Sequence, residues 1–426
     1  MATAPTAAAV SPPPVDDTLL PPAAAPAPPA PTMRHDDCVA DRPGAGALDR
    51  APAWDAASVW ALTRGAGQTV AVIDTGVAPH RRLPNLIPGG DFVSTQDGTA
   101  DCDGHGTAVA GIIAARPDSD TPPGFTGIAP DVAILAIRQS SNKFRVSDDR
   151  SQSGVGDVDT LAAAVRTAAD LGAGVINVSS VACQSVDADL DDRALGAALA
   201  YAVDVKNVVV VSAAGNVGGP GQCPDANPRD AANAADVAVV VSPAWYDDYV
   251  LTVGSVGADG HASPFSLAGP WVDVAAPGED VVSLAAAADG LVDRSPQDTA
   301  LSGTSYAAPV VSAVAALVRA RFPELTARQV MARIEETALH PTGGWNPVVG
   351  HGVVDILAAV SGPTATSNTR LSPMTRPTLP PPPQAVSTPG HDRSAVSAVL
   401  ICLSLVGGVG VVAAALGRLR GRVTDD

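Results

Sequence analysis

Short apolar runs recur through the middle of the chain, and each is followed by a stretch with helical spacing. Thr69–Ile73, Val132–Ile137, Val175–Val178, Val208–Ser212 and Val250–Val253 are rich in β-branched residues and apolar on successive positions. A strand with one wet face alternates polar and apolar residues, so an unbroken apolar run predicts a strand covered on both faces. Asp159–Leu171, Ala194–Val203 and Ser305–Arg321 are Ala-rich and predict helices. Strand–helix alternation over residues 54–362 predicts an α/β domain of three layers, with a mainly parallel sheet between helices.

The pattern stops on both flanks. Residues 1–32 hold ten prolines among Ala and little else, which predicts an extended, disordered segment, because so little apolar surface does not offset chain entropy. Residues 33–53 form a short extension ahead of the domain. Residues 363–393 hold eight more prolines, including Pro380–Pro383, among Ser and Thr, and predict a stiff linker. Residues 394–417 follow, and Ala395–Gly417 carries no charge over 23 residues. At about 1.5 Å per residue such a helix spans a bilayer core. Arg418, Arg420 and Arg422 come next, which assigns residues 418–426 to the cytoplasm and everything before the helix to the outside. An exported domain needs a signal. Residues 1–32 lack a basic stretch followed by an apolar one, so the topology calls either for a signal upstream of Met1, the favoured expectation, or for unconventional export.

Charge removes one class of partner. The 426 residues carry 26 Lys plus Arg against 44 Asp plus Glu, a formal net charge of −18, and Lys occurs only at Lys143 and Lys206. Phosphate binding needs clustered cations, so nucleic acid is excluded as a main partner. Aromatic residues make up 3%, so the core is expected to be built from Ala, Val, Leu and Ile.

Three segments carry candidate chemistry. In Val-Ile-Asp-Thr-Gly-Val, Asp74 ends an apolar strand, at the sheet edge where open α/β folds place their sites. In Asp-Gly-His-Gly-Thr, His105 lies between Gly104 and Gly106, which allow close approach to the imidazole, and an Ala-rich helix follows. In Ser-Gly-Thr-Ser-Tyr-Ala-Ala-Pro, Ser305 opens a long helix, with Pro309 read as lying in its first turn. A hydroxyl there faces the positive end of the helix dipole. A fourth piece, Ser-Ala-Ala-Gly-Asn, ends a Val-rich strand with Asn216, a side-chain donor suited to an oxyanion. Asp189, Asp191 and Asp192 form an acidic cluster, read as a solvated helix start. No stretch has a metal-ligand pattern, and no cofactor is expected. His35, His80, His261, His340, His351 and His391 have no comparable setting and are read as surface or loop residues.

Taken together, these segments resemble the subtilisin-like serine proteases of peptidase family S8, over about Trp54 to Ala359. Gly174–Ser179, Phe265-Ser266, Ala276-Pro277-Gly278 and the helical Leu325–Thr337 resemble the family too. The resemblance implies that Ser305 is the nucleophile, His105 the general base and then acid, and Asp74 the residue that orients it. Asn216 and the Ser305 N–H would bind the oxyanion. It also implies that Ser179, Ser180, Val181 and Gly215 bind peptide. The family usually has Gly where Val181 stands, so Val181 is expected to narrow the adjacent pocket.

The whole layout, with a Pro-rich extension, a protease domain, a Pro-rich linker and a membrane helix, resembles mycosins, the membrane-anchored subtilases of actinobacterial type VII secretion systems. The implied substrates are exported proteins and peptides, the implied partner is the secretion membrane complex, and the implied site is the cell membrane. A structural subunit that stabilises that complex is the alternative. Four cysteines outside the membrane helix allow two disulfides in three pairings. The resemblance implies Cys38–Cys102 and Cys183–Cys223, with the extension wrapped beside the site. Gln139–Asp157 is a polar insertion near the cleft, read as a surface loop, a gate or a cleavage site.

Overall fold

The apolar runs become neighbours in one sheet. The computed structural model describes residues 10–40, 54–118, 124–149, 154–188, 190–219, 222–230, 233 and 236–362. In chain order the strands are β1 (Thr32–Arg34), β2 (Thr69–Asp74), β3 (Leu86–Asp91), β4 (Ala133–Arg138), β5 (Phe144–Val146), β6 (Val175–Val178), β7 (Ala182–Ser185), β8 (Val209–Ala213), β9 (Val239–Ser242), β10 (Val250–Val256), β11 (Val274–Pro277), β12 (Ser283–Leu284) and β13 (Leu291–Val292). The helices are α1 (Ala56–Leu62), α2 (His105–Ala114), α3 (Val158–Asp170), α4 (Arg193–Ala200), α5 (Thr304–Arg321), α6 (Ala327–Thr337) and α7 (Ile356–Val360).

Seven strands form the central sheet in the order β11-β10-β8-β6-β2-β4-β3, and every neighbouring pair is parallel. Register aligns Asp74 with Arg138 on one side, and Ile73 with Val178 on the other. The C-terminal ends of β2, β6 and β8 therefore open on the same edge. Helices flank the sheet in two pairs, α2 with α5 and α3 with α4. Between its ends α5 has no wet face: Ala307 to Val318 is buried throughout, because the helix packs against β6, β8, β10 and β11. Its small Ala and Val side chains let sheet and helix backbones come close, as the low aromatic content requires.

The paired antiparallel strands β1 and β5 join the N-terminal extension to the polar insertion. Composition alone makes residues 1–32 disordered. Residues 10–32 are instead laid along the domain. Val10 and Leu20 pack on the core, the Arg166 Nη1 donates to the Pro21 carbonyl at 3.2 Å, and the Pro26 ring fills the space beside Gly90. Prolines have little backbone entropy to lose on docking, so a segment with no core of its own still binds one made elsewhere.

Two smaller expectations also change. Asp192 is buried rather than solvated, and accepts from Ser242 Oγ, Trp245 Nε1 and Tyr246 OH. Asp191 is the exposed member and pairs with Arg193; Asp189 lies outside the described residues. His80 lies in a loop, as expected, and is buried there, with its Nδ1 accepting from the Arg82 N–H. Beyond α4 the expected helix continues as a π turn, Tyr201–Val205. The linker, the apolar segment 394–417 and the tail lie outside the described residues. Among the described residues no helix is long and apolar enough to cross a membrane.

Candidate active site

Asp74 is the last residue of β2 and is fully buried. Its Oδ1 accepts from the Thr75 N–H and from His105 Nδ1, both at 2.7 Å. With Nδ1 donating, a neutral imidazole keeps Nε2 as its acceptor. The His105 side chain is 27% exposed, so the ring bridges the buried carboxylate and the cleft. His105 begins α2 directly after Gly104, whose φ of +79° is a turn that Gly takes without strain. Gly106 is required for contact: a Cβ there would lie 2.0 Å from the Gly76 carbonyl oxygen. The Tyr306 ring lies against the imidazole at 5.3 Å between centroids, in a tilted arrangement.

Burial opposes charge on His105, but the Asp74 carboxylate and its hydrogen bond, with Asp101 and Asp103 behind, leave the imidazole pKa above its ordinary value. Burial also pushes the Tyr306 phenol upward.

Ser305 is the second residue of α5, and Asn216 follows β8. The Thr304 N–H donates to Asn216 Oδ1 at 2.9 Å, and the Thr304 hydroxyl donates to the same oxygen. Ser305 Oγ and Asn216 Nδ2 both lie close to Gly303, at 3.1 and 3.5 Å from where a Cβ on that glycine would sit. Pro309 is the sixth residue of α5, not in its first turn. Its missing N–H leaves the Ser305 carbonyl without a helical donor. The Ser179 hydroxyl donates there instead, at 2.9 Å. Asn177 Nδ2 in turn donates to Ser179 Oγ, and Ser312 Oγ donates to Asn177 Oδ1.

A cleft of about 950 Å³ is lined by His105, Ser305, Asn216, Ser179, Ser180 and Val181 together. Gly154, Val155 and Gly156 of the insertion line it as well, as do Pro29, Ala30 and Thr32 of the N-terminal segment. Gly215 is not among the lining residues. At φ +98° it carries the chain over Cys183 and Cys223, whose sulfurs would lie 3.3 and 3.0 Å from a Cβ. Cys183–Cys223 and Cys38–Cys102 are both disulfide-bonded. Among the described residues no group of three or more His, Cys, Asp or Glu side chains is arranged to hold a metal ion.

Sequence reasoning missed Asp101, Tyr306 and Thr304, whereas the insertion holding Gly154–Gly156 was already placed near the cleft. Asp101 had a signal, an acidic residue just ahead of a helix start. The others are defined by partners distant in sequence.

The family model described as "Subtilase family" matches residues 65–352. Mycosin-4 of Mycobacterium tuberculosis is 57% identical, over 98% of this chain and 93% of that protein. Among solved structures, the MycP3 protease of the type VII (ESX-3) secretion system is 44% identical, with a TM-score of 0.76 over 83% of this chain and all of that one. A chain of an intact ESX-5 inner membrane complex is 39% identical, with a TM-score of 0.76 over 96% of this chain.

Proposed function

The chain belongs to the subtilase family of serine proteases and is of the mycosin type, and from that premise we propose that it is an endopeptidase that works by an Asp74–His105–Ser305 triad at a type VII secretion complex. The observation that carries this reading is the Asp74–His105 hydrogen bond, made in a cleft that also holds Ser305 and Asn216.

The chemistry follows from the donors and acceptors. His105 Nε2 takes the proton from Ser305 Oγ as the oxygen attacks a peptide carbonyl carbon. Asp74 keeps Nδ1 protonated and offsets the charge of the imidazolium. Asn216 Nδ2 and the Ser305 N–H, at a helix N-terminus, donate to the oxygen that becomes negative. His105 returns its proton to the leaving amine, and an acyl ester remains on Ser305. Water, deprotonated by His105, then releases the acid and restores the hydroxyl.

Peptide in extended form suits the gap between Ser179–Val181 and Gly154–Gly156. Ser179–Val181 make no ladder pairing of their own among the described residues. Backbone recognition across such an edge is β-augmentation. Val181 limits the side chain accepted beside it, and the extension and insertion narrow the approach, so a small set of unfolded exported segments is the favoured substrate class. The charge-free run Ala395–Gly417 and the arginines after it support a membrane anchor with the catalytic domain outside.

A fluorophosphonate probe tests the enzyme: it should label the wild type at Ser305 and leave Ser305→Ala unlabelled. Failure of the wild type to label, beside a reactive control subtilase, overturns the reading. The presence of a related chain in an inner membrane complex favours a second, compatible role as a structural subunit. That role predicts that Ser305→Ala retains secretion which deletion of the whole chain abolishes.

A further inference from the structure

We propose that Asp101 is a positioning residue that locks the strand bearing Asp74 to the helix bearing His105. This rests on the catalytic reading above and deepens it. The Asp101 carboxylate accepts five hydrogen bonds. Oδ1 takes the Thr75 hydroxyl at 2.8 Å, the Gly104 N–H at 2.7 Å and the Asp103 N–H at 3.2 Å. Oδ2 takes the N–H and hydroxyl of Thr107 at 2.8 and 2.7 Å.

These donors come from two elements. Thr75 follows Asp74 at the end of β2, and its N–H donates to Asp74 Oδ1. Gly104 and Thr107 bracket His105 at the start of α2. The Thr75 hydroxyl closes the circuit, donating to Asp101 and accepting from the Gly106 N–H at 3.0 Å. Two of the N–H groups left without helical partners at the start of α2, those of Gly106 and Thr107, are thereby bound to Thr75 and Asp101. A negative charge at this end of the helix is favourable as well. The 2.7 Å contact between Asp74 and His105 thus has a second, independent tie between the same two backbones.

Asp101 also acts on the imidazole through space. The charged and titratable groups facing His105 are Asp74 from β2, Asp101 and Asp103 from the loop before α2, and the Tyr306 phenol from α5. Asp101 is pushed up to about 6 by burial, so it is ionised at neutral pH and adds to the negative field. Losing that charge makes imidazolium less favourable.

Asp101→Asn keeps the shape, but turns an acceptor into an amide that faces the Thr107 N–H. The experiment has two readouts on folded protein: kcat and KM normalised to fluorophosphonate-reactive sites, and the titration of the His105 ring followed by NMR. Loss of positioning predicts kcat lower by about tenfold to 10²-fold with KM nearly unchanged, and a His105 midpoint at lower pH than in the wild type. A merely structural Asp101 lowers thermal stability and leaves both unchanged, which overturns the proposal. A wild type that neither labels nor cleaves overturns the catalytic reading instead, while the NMR midpoint still reports on Asp101. If Asp101→Asn does not fold, Thr75→Val removes the bridging hydroxyl at similar bulk. It should then lower kcat, and wild-type kcat in that variant overturns the proposal.

Discussion

The hydroxyl of Ser179 donates to the backbone carbonyl of Ser305 at 2.9 Å, where a helix would ordinarily supply the N–H of residue 309. Residue 309 is proline, so the helix yields this acceptor to the neighbouring segment. One serine thus ties the segment that follows β6 to the residue bearing the candidate nucleophile.

Ser179→Ala should therefore affect both stability and rate. It strands the fully buried Asn177 Nδ2 and the Ser305 carbonyl, at a cost of about 1–3 kcal/mol. Urea unfolding should show that loss without a change in m-value. Turnover per labelled site should also fall, since the first turn of α5 is released. Full activity in a destabilised Ser179→Ala would separate the two and contradict the coupling.

Asn216 gives a sharper result, because Thr304 fixes its orientation through Oδ1. Asn216→Ala should lower kcat by about 10²–10³-fold with little change in KM, the signature of a group used only in the transition state. Asn216→Asp keeps the acceptor for Thr304 but replaces the donor with a negative charge, and should be worse than Ala. Equal kcat for Asn216→Ala and wild type would remove the residue from the oxyanion site.

The sheet was legible in the sequence because strands covered on both faces write themselves as unbroken apolar runs, and Val175–Val178 matches its strand to the residue. Asp74, His105 and Ser305 were legible because each sits at a strand or helix end with small neighbours. Residues 10–32 were not, since their binding energy comes from a surface made by other segments. Pro309 was misplaced by a turn for a related reason: its meaning depends on Ser179, 130 positions away in the chain. Gly215, which the resemblance makes a peptide-binding residue, also has to clear a disulfide, a constraint set by Cys183 and Cys223 elsewhere in the chain.

The pH profile follows from His105. Its pKa is held above the ordinary 6.5 by Asp74, Asp101 and Asp103 against the effect of burial. A general base must be neutral, so kcat/KM should rise with pH and reach half its plateau above 6.5. The stability sign runs the other way. A raised pKa stabilises the fold fully below the unfolded value, and that contribution is lost as pH rises through the folded one. Activity thus appears where this contribution fades. A half-maximum at or below 6.5 would refute the assignment of the acid limb to His105.

The two disulfides should fail differently when broken. Cys38–Cys102 spans 64 residues of sequence and joins the extension to the loop ahead of His105. Loop-closure entropy for that span is worth about 4 kcal/mol, with strain or residual structure reducing it. Cys38→Ser paired with Cys102→Ser should therefore lower the urea midpoint strongly and expose the extension to added protease. Cys183–Cys223 closes a shorter span of 40, but its sulfurs stand behind Gly215, and the Cys223 N–H donates to the Asn216 carbonyl at 2.9 Å. Cys183→Ser paired with Cys223→Ser should cost kcat more than the first pair does, through a loosened Asn216. Site-normalised kcat for the two double variants, measured at a temperature where both are folded, decides it. A larger kcat loss from the Cys38 and Cys102 pair would reverse the assignment of roles.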